Sequence, residues 1–80
     1  MHELGLARSL VEQILEVVHR ERWGRVSRVV LELGTAAGVD AEALSFGFEV
    51  AGQHSAVEGA ALEIESLPDG HDLRVKLLEA

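Results

Sequence analysis

In the first quarter of the chain, apolar residues recur with the spacing of an α-helix. Over residues 4–22, apolar side chains recur at intervals of three and four, and charged side chains occupy the opposite side. This spacing predicts an amphipathic helix with one buried stripe. Gly24 is the expected left-handed cap beyond its end. The stripe consists of Leu6, Ala7, Leu10, Val11, Ile14, Leu15 and Val18.

Three shorter segments alternate with a period of two, which is the pattern of strands with one buried face. They cover residues 26–33, 61–67 and 72–79. Between the first two strands, Asp40 suits the N-cap of a second helix that runs to about residue 52. The order helix, strand, helix, strand, strand predicts an α/β (α+β) two-layer fold, with both helices on one face of a three-stranded sheet.

The last two strands are expected to form a hairpin. Residues 68–71, Pro-Asp-Gly-His, are a turn sequence because proline presets φ and glycine tolerates positive φ. A four-residue loop there keeps the apolar residues of both strands on one face, and so does a two-residue loop. Acidic side chains on the other strands and basic ones on the last favour an antiparallel sheet with the last strand in the middle. The shared apolar face would carry Leu62, Ile64, Leu73, Val75 and Leu77.

Composition narrows the possible functions. Fourteen acidic and seven basic residues give a net charge of −7, which argues against a nucleic-acid-binding protein. The absence of cysteine excludes disulfides, thiolate zinc sites and a cysteine nucleophile. Because neither a long apolar run nor a signal segment occurs, we expect a cytoplasmic protein without membrane contact. Because neither a nucleophile elbow nor a phosphate-binding loop is found, we do not expect an enzyme.

The chain opens with Met1-His2-Glu3, which places several nitrogen donors in a row. They are the α-amine of Met1, the backbone nitrogen of residue 2 and a ring nitrogen of His2. A metal ion that displaces the amide proton closes two adjacent chelate rings, and the amide or carboxylate of Glu3 lies within reach of a fourth position. Planar nitrogen-rich sets suit Ni(II) and Cu(II), whereas Zn(II) prefers tetrahedral sites. The alternative is an exposed second residue without a ligand role.

The same opening, extended by Leu4 and by residues 6–10, resembles the HypA/HybF family of hydrogenase-maturation nickel metallochaperones. The resemblance implies that Met1, His2 and Glu3 bind Ni(II). It also implies delivery to the large subunit of [NiFe]-hydrogenase, with a HypB-type GTPase as partner. Asp40 matches a position implicated in some members, and we expect it to be an N-cap first and a ligand, or a group that orients the His2 ring, second. The resemblance continues in order through residues 26–29, 33–34, 38–44, 46, 48–49, 58–60, 62–64 and 73–76.

The chain departs from this family at one point. Family members carry a zinc-binding domain with two Cys-x-x-Cys pairs between the positions of Leu67 and Leu73, where this chain has residues 68–71 and no cysteine. We therefore expect a single nickel-binding domain over residues 1–80, with a short turn in place of the zinc domain and no structural zinc. The rival interpretation is a metal-free interaction module that docks on a hydrogenase-maturation partner.

Overall fold

The computed structural model describes residues 2–80, which form five elements in the predicted order. Helix α1 spans His2–Glu21 and helix α2 spans Ala41–Ala51. Strand β1 spans Arg28–Gly34, strand β2 spans Ala61–Leu67 and strand β3 spans Leu73–Glu79. One core cluster joins buried side chains from both helices and from β1, so the helices cover the same face of the sheet. The predicted two-layer α/β fold is confirmed.

Helix α1 buries the predicted apolar stripe against this core. It ends at Glu21, and the left-handed residue beyond it is Arg22, with a φ of 59°, rather than the predicted Gly24. The N–H of Trp23 donates to the carbonyl of Val18 at 3.0 Å, which satisfies one of the open carbonyls in the last turn. Within residues 2–80, no helix is long and apolar enough to span a membrane.

The sheet is mixed, with the order β2-β1-β3. Strand β1 pairs in parallel with β2 and antiparallel with β3. The predicted antiparallel sheet with the last strand in the middle is therefore wrong. The connection from β1 to β2 passes through α2, and a helix that packs back onto the same sheet face returns the chain in its original direction. Four buried apolar residues, Val29, Val30, Leu31 and Leu33, place β1 in the centre, and their burial outweighs exposed charge pairs.

A bulge in β3 changes the predicted side-chain pattern of that strand. Val30 lies opposite Leu77 and Leu31 lies opposite Val75, so Lys76 is the extra residue. As a result, Leu77 points away from the core and is 38% exposed, whereas Leu78 packs against the core cluster. The prediction that Leu77 shares the buried face is therefore wrong.

The connection from β2 to β3 is not a hairpin, because β1 lies between the two strands. It crosses the end of β1 and bonds to the segment that follows that strand. The N–H of Gly34 donates to the carbonyl of Asp72 at 2.8 Å, and the N–H of Ala36 donates to the carbonyl of Gly70 at 2.8 Å. The N–H of Asp69 donates to Oγ1 of Thr35 at 2.9 Å. The short connection is therefore fixed against the end of the central strand.

Candidate metal site at the start of the first helix

The predicted metal residues lie where the two helices meet. Met1 is outside the described residues. His2 is the first residue of α1, with a side chain 62% exposed, whereas the side chain of Glu3 is 18% exposed. The sequence pattern predicted a helix that begins at Leu4. In the structure the helix begins at His2, so this residue is part of the helix and not of a segment before it. The imidazole is thus exposed to solvent at the start of a helix.

The carboxylate of Glu3 connects the start of α1 to the segment entering α2. Its Oε2 accepts a hydrogen bond from the backbone N–H of Asp40 at 3.2 Å, and its Oε1 lies 3.7 Å from Nδ1 of His2. Hydrogen bonds from the N–H of Asp40 and from the N–H of Glu3 itself hold the pKa of the Glu3 carboxyl below its ordinary value, and the charge of His2 acts in the same direction. Glu3 is therefore held as a carboxylate beside the His2 ring.

Asp40 is the N-cap of α2, as predicted. Its backbone is extended, with φ −80° and ψ 114°, and its Oδ1 accepts hydrogen bonds from the N–H groups of Glu42 at 2.9 Å and Ala43 at 3.2 Å. This is the geometry that satisfies the open donors at a helix start. In the described residues, the carboxylate that lies beside the His2 ring is that of Glu3. The role considered for Asp40, as a ligand or as a group that orients the His2 ring, stays a prediction.

Close packing of the helices keeps these groups together. Gly47 of α2 is buried against the first turns of α1. A Cβ atom at this position would lie 3.2 Å from Cβ of Ala7, 3.4 Å from Cα of Leu4 and 3.5 Å from the carbonyl oxygen of Glu3. The absence of a side chain at Gly47 therefore allows the α1 backbone to approach α2, which brings Glu3 within hydrogen-bonding distance of Asp40.

The start of a helix also supplies backbone nitrogen donors. The first four N–H groups of an α-helix have no acceptor inside the helix, so a metal ion that displaces the amide proton of His2 breaks no helical hydrogen bond. Among residues 2–80, no three side chains of histidine, aspartate or glutamate are grouped so that they could hold an ion. The predicted ligand set is of a different kind, because main-chain nitrogens supply at least two of its four donors.

The contact between Glu3 and Asp40 could not be predicted from the sequence. The two residues are 37 positions apart, and each has a local reason to be acidic at a helix start. The one sequence signal for their proximity is Gly47, a glycine inside a helical segment, which marks a close helix crossing in the structure.

The family model and two relatives that match this sequence carry the same name. A family model described as hydrogenase/urease nickel incorporation, metallochaperone, HypA matches residues 1–76. HypA of a Roseiflexus species is 50% identical over 68 residues, which cover 85% of this chain and 55% of the relative. HypA of Syntrophus aciditrophicus is 37% identical, and the match covers 100% of this chain and 76% of that protein. The chain spans little more than half the length of the first of these relatives.

Solved structures with the same fold carry the same name. A solution structure of a HypA protein superposes with a TM-score of 0.82 at 19% identity, covering 99% of this chain and 95% of that one. The solution structure of the Ni metallochaperone HypA from Helicobacter pylori gives 0.76 at 21% identity, covering 94% of this chain and 70% of that one. At this identity the two structures establish the fold. The family description names a metallochaperone, in agreement with the prediction that the chain is not an enzyme.

Proposed function

Because the chain belongs to the HypA family of nickel-incorporation metallochaperones, we propose that it binds Ni(II) at the start of α1 and delivers it for hydrogenase maturation. The observation that carries the proposal is the position of His2. Its imidazole is exposed on the first residue of α1, beside a carboxylate that is itself anchored to α2. The proposed ligands are the α-amine of Met1, the backbone nitrogen and ring of His2, and Glu3.

In this proposal, acidic groups offset the positive electrostatic potential at the start of α1, which disfavours a cation. The start of a helix carries a partial positive charge, which disfavours a metal cation. Loss of the His2 amide proton and the carboxylates of Glu3 and Asp40 supply negative charge around the ion. Asp40 caps α2, and we propose its carboxylate as a further ligand or as a group that orients the His2 ring.

Delivery by direct contact follows from the exposure of the site. An ion held by the exposed His2 at one end of a helix is accessible to ligands of an acceptor protein, so exchange does not require the domain to unfold. We propose a HypB-type GTPase as partner and the [NiFe]-hydrogenase large subunit as acceptor, both in the cytoplasm. The family description also includes urease, so a urease is the alternative acceptor in this proposal.

The proposal treats residues 1–80 as one nickel-binding domain that folds without structural zinc. The segment 68–72 crosses the end of β1 through three hydrogen bonds to residues 34–36, so a short connection is sufficient to join β2 to β3. Stability in this arrangement comes from the helix and sheet core, and a chelator is expected to leave the fold intact.

The second candidate is a metal-free interaction module. It is favoured by Phe46 and Val50, two large apolar side chains exposed on α2. Under this alternative, the chain recognises a maturation partner through its helical surface, and blocking the α-amine leaves partner binding unchanged.

Calorimetric titration of the untagged chain with Ni(II) tests the proposal. His2→Ala is expected to abolish tight binding. His19→Ala is the matched control, because His19 is also exposed on α1 but lies in its last turn. Equal binding by both variants and the unmodified chain would reject the proposed site.

A further inference from the structure

A groove lies between α2 and the edge strand β2. Its volume is about 670 Å³, and its lining includes Phe46, Phe48, Glu49, Glu58 and Leu62. It is separate from the candidate metal site, because it is lined by the middle of α2, the loop after it and the start of β2. A ligand in this groove would therefore occupy a surface different from the proposed nickel site.

One large apolar side chain that lines the groove is exposed to solvent. Phe46, which lines the groove, is 67% exposed. Val50, one helical turn later and outside the groove lining, is 40% exposed. Leu77 is the third large apolar residue exposed in the described part of the chain, and it lies on the opposite side of the sheet. An exposed aromatic side chain at a groove, with a second exposed apolar residue one turn away, is typical of a surface that contacts another protein.

Strand β2 presents an unpaired backbone edge beside this groove. The sheet order leaves β2 bonded to β1 alone. The N–H of Ala61 donates to the carbonyl of Ser27 at 2.9 Å, on the side of β1. Because backbone groups alternate along a strand, the N–H and C=O groups of Leu62 and Ile64 face the open edge. These groups can pair with an added strand.

The two edges of the sheet differ in how they discourage such pairing. Edge strand β3 carries a bulge at Lys76 and a second cation at Arg74, and bulges and exposed cations are devices that block edge pairing. Strand β2 contains neither a cation nor a proline, and its pairing with β1 has no register shift. The β2 edge is therefore the more receptive one.

The negative charge of the groove favours a basic ligand. Glu49 and Glu58 line it, and neither forms a salt bridge with any residue in the described part, 2–80. By contrast, Glu63 and Glu65, which belong to β2, are paired with Arg28 and Lys76. With a net charge of −7, the chain attracts basic segments as well.

We propose that the groove and the β2 edge bind an extended, basic and apolar segment of a partner protein, which adds to the sheet beside β2. Its main chain would pair with Leu62 and Ile64. Its apolar side chains would contact Phe46 and Leu62, and its lysine or arginine side chains would face Glu49 and Glu58. This is recognition by strand addition, in which the backbone supplies affinity and alternate side chains supply specificity.

The test uses the full chain labelled with ¹⁵N and two capped heptapeptides as probes, Lys-Ser-Val-Ser-Lys-Ser-Val and the same sequence with glutamate in place of lysine. This spacing places the charged and the apolar side chains on one face of an added strand, toward the groove. The lysine peptide is expected to shift the amide signals of Leu62, Ile64 and Phe46 and to slow exchange of the Leu62 and Ile64 amides. The glutamate peptide is expected to leave them unchanged at the same ionic strength.

Variants separate the groove from general charge attraction. Phe46→Ser should raise the Kd for the lysine peptide at least about tenfold, whereas Leu77→Ser should leave it unchanged. The double variant Glu49→Lys, Glu58→Lys should prefer the glutamate peptide. Circular dichroism would verify that each variant remains folded, which the exposure of all four side chains leads us to expect.

Three results would overturn the proposal. The first is the absence of localised shifts with the lysine peptide up to about millimolar concentration. The second is a response to both peptides that Phe46→Ser does not alter. The third is protection of the Leu62 amide that rises with chain concentration alone, since that result assigns the edge to a second copy of the chain.

Discussion

Gly34→Ala tests how β2 is connected to β3. Gly34 is the last residue of β1, and the β2–β3 connection passes directly against it. An alanine Cβ there would overlap the carbonyl group of Gly70 and lie 2.7 Å from the backbone nitrogen of His71. Because all the atoms concerned are backbone atoms, no side chain can turn away to relieve the overlap. The connection must move, and its hydrogen bonds to residues 34–36 must lengthen.

The expected loss follows from two opposing contributions. Overpacking of a filled site typically costs about 1–3 kcal/mol. Replacing glycine by alanine in a strand recovers about 0.5–1 kcal/mol through chain entropy. Because the overlapped backbone atoms cannot turn aside, the upper part of the overpacking range applies, about 2–3 kcal/mol. The net change is then a loss of about 1–2.5 kcal/mol in the free energy of unfolding. For a domain of this size, each kcal/mol lowers the Tm by roughly 4–8 °C.

Gly5→Ala is the matched control for this change. Gly5 is exposed in α1, and a Cβ atom there would meet nothing within 4 Å. The same substitution is therefore expected to raise stability by up to about 1 kcal/mol through helix propensity. Urea denaturation followed by circular dichroism would measure both variants. If Gly34→Ala were as stable as the unmodified chain, or gained as much as Gly5→Ala, the connection could not be packed against β1 as described.

The remaining predictions separate the site from the fold. Leu31→Ala, which removes a fully buried side chain, should cost about 2–5 kcal/mol in thermal or urea unfolding, whereas His2→Ala should hardly change stability. Asp40→Ala should cost about 0.5–2 kcal/mol of stability through loss of the cap. Asp40→Ser should keep the cap and remove the charge. If Asp40→Ser keeps its stability but binds Ni(II) more weakly, the Asp40 carboxylate contributes to the site. The pKa of the Glu3 carboxyl is lowered in the folded chain, so the ionised carboxylate stabilises the fold. This stabilisation is fully present above the ordinary glutamate pKa and is lost as pH falls through the lowered value. An NMR titration that follows the Glu3 carboxyl carbon should place its pKa below the ordinary glutamate value. An unshifted pKa would contradict the hydrogen bond from the Asp40 N–H.

Much of the fold was predictable because local signals and burial agreed. The apolar spacing of α1, the N-cap at Asp40 and the alternation of the strands predicted the elements and their order correctly. The strand order was not predicted, because it was inferred from surface charge pairs. The cations of β3 do form ion pairs in the structure, but not with the partners expected for a central β3. Arg74 pairs with Glu32 of β1, and Lys76 pairs with Glu65, from one edge strand to the other.

Two local features required the structure. The bulge at Lys76 reverses the faces of the residues after it, and its only sequence signal is the Leu77-Leu78 pair, which breaks the alternation. Arg22 takes the left-handed position at the end of α1, although Gly24 is nearby, because the helix stops where Trp23 can bond back to Val18. Strand register and helix ends depend on contacts that local propensity does not specify.

For the site, the sequence predicted the residues but not their connection. The Met1-His2-Glu3 opening indicated a chelate, and Asp40 was predicted to be an N-cap. The hydrogen bond between the Glu3 carboxylate and the Asp40 N–H depends on the close crossing at Gly47. The ligand role of Met1, His2, Glu3 and Asp40 stays a prediction.

The most direct test of nickel binding at the N-terminus compares the untagged chain with a chain acetylated on its α-amine, by Ni(II) titration at several pH values. Ligation requires an imidazole and an amine that have lost their protons, and such groups ordinarily titrate between about 6.5 and 8. We expect an affinity that falls steeply as pH drops from about 8 to about 6, and a large loss on acetylation at every pH in that range. An affinity that is flat with pH and unchanged by acetylation would contradict nickel binding at this site.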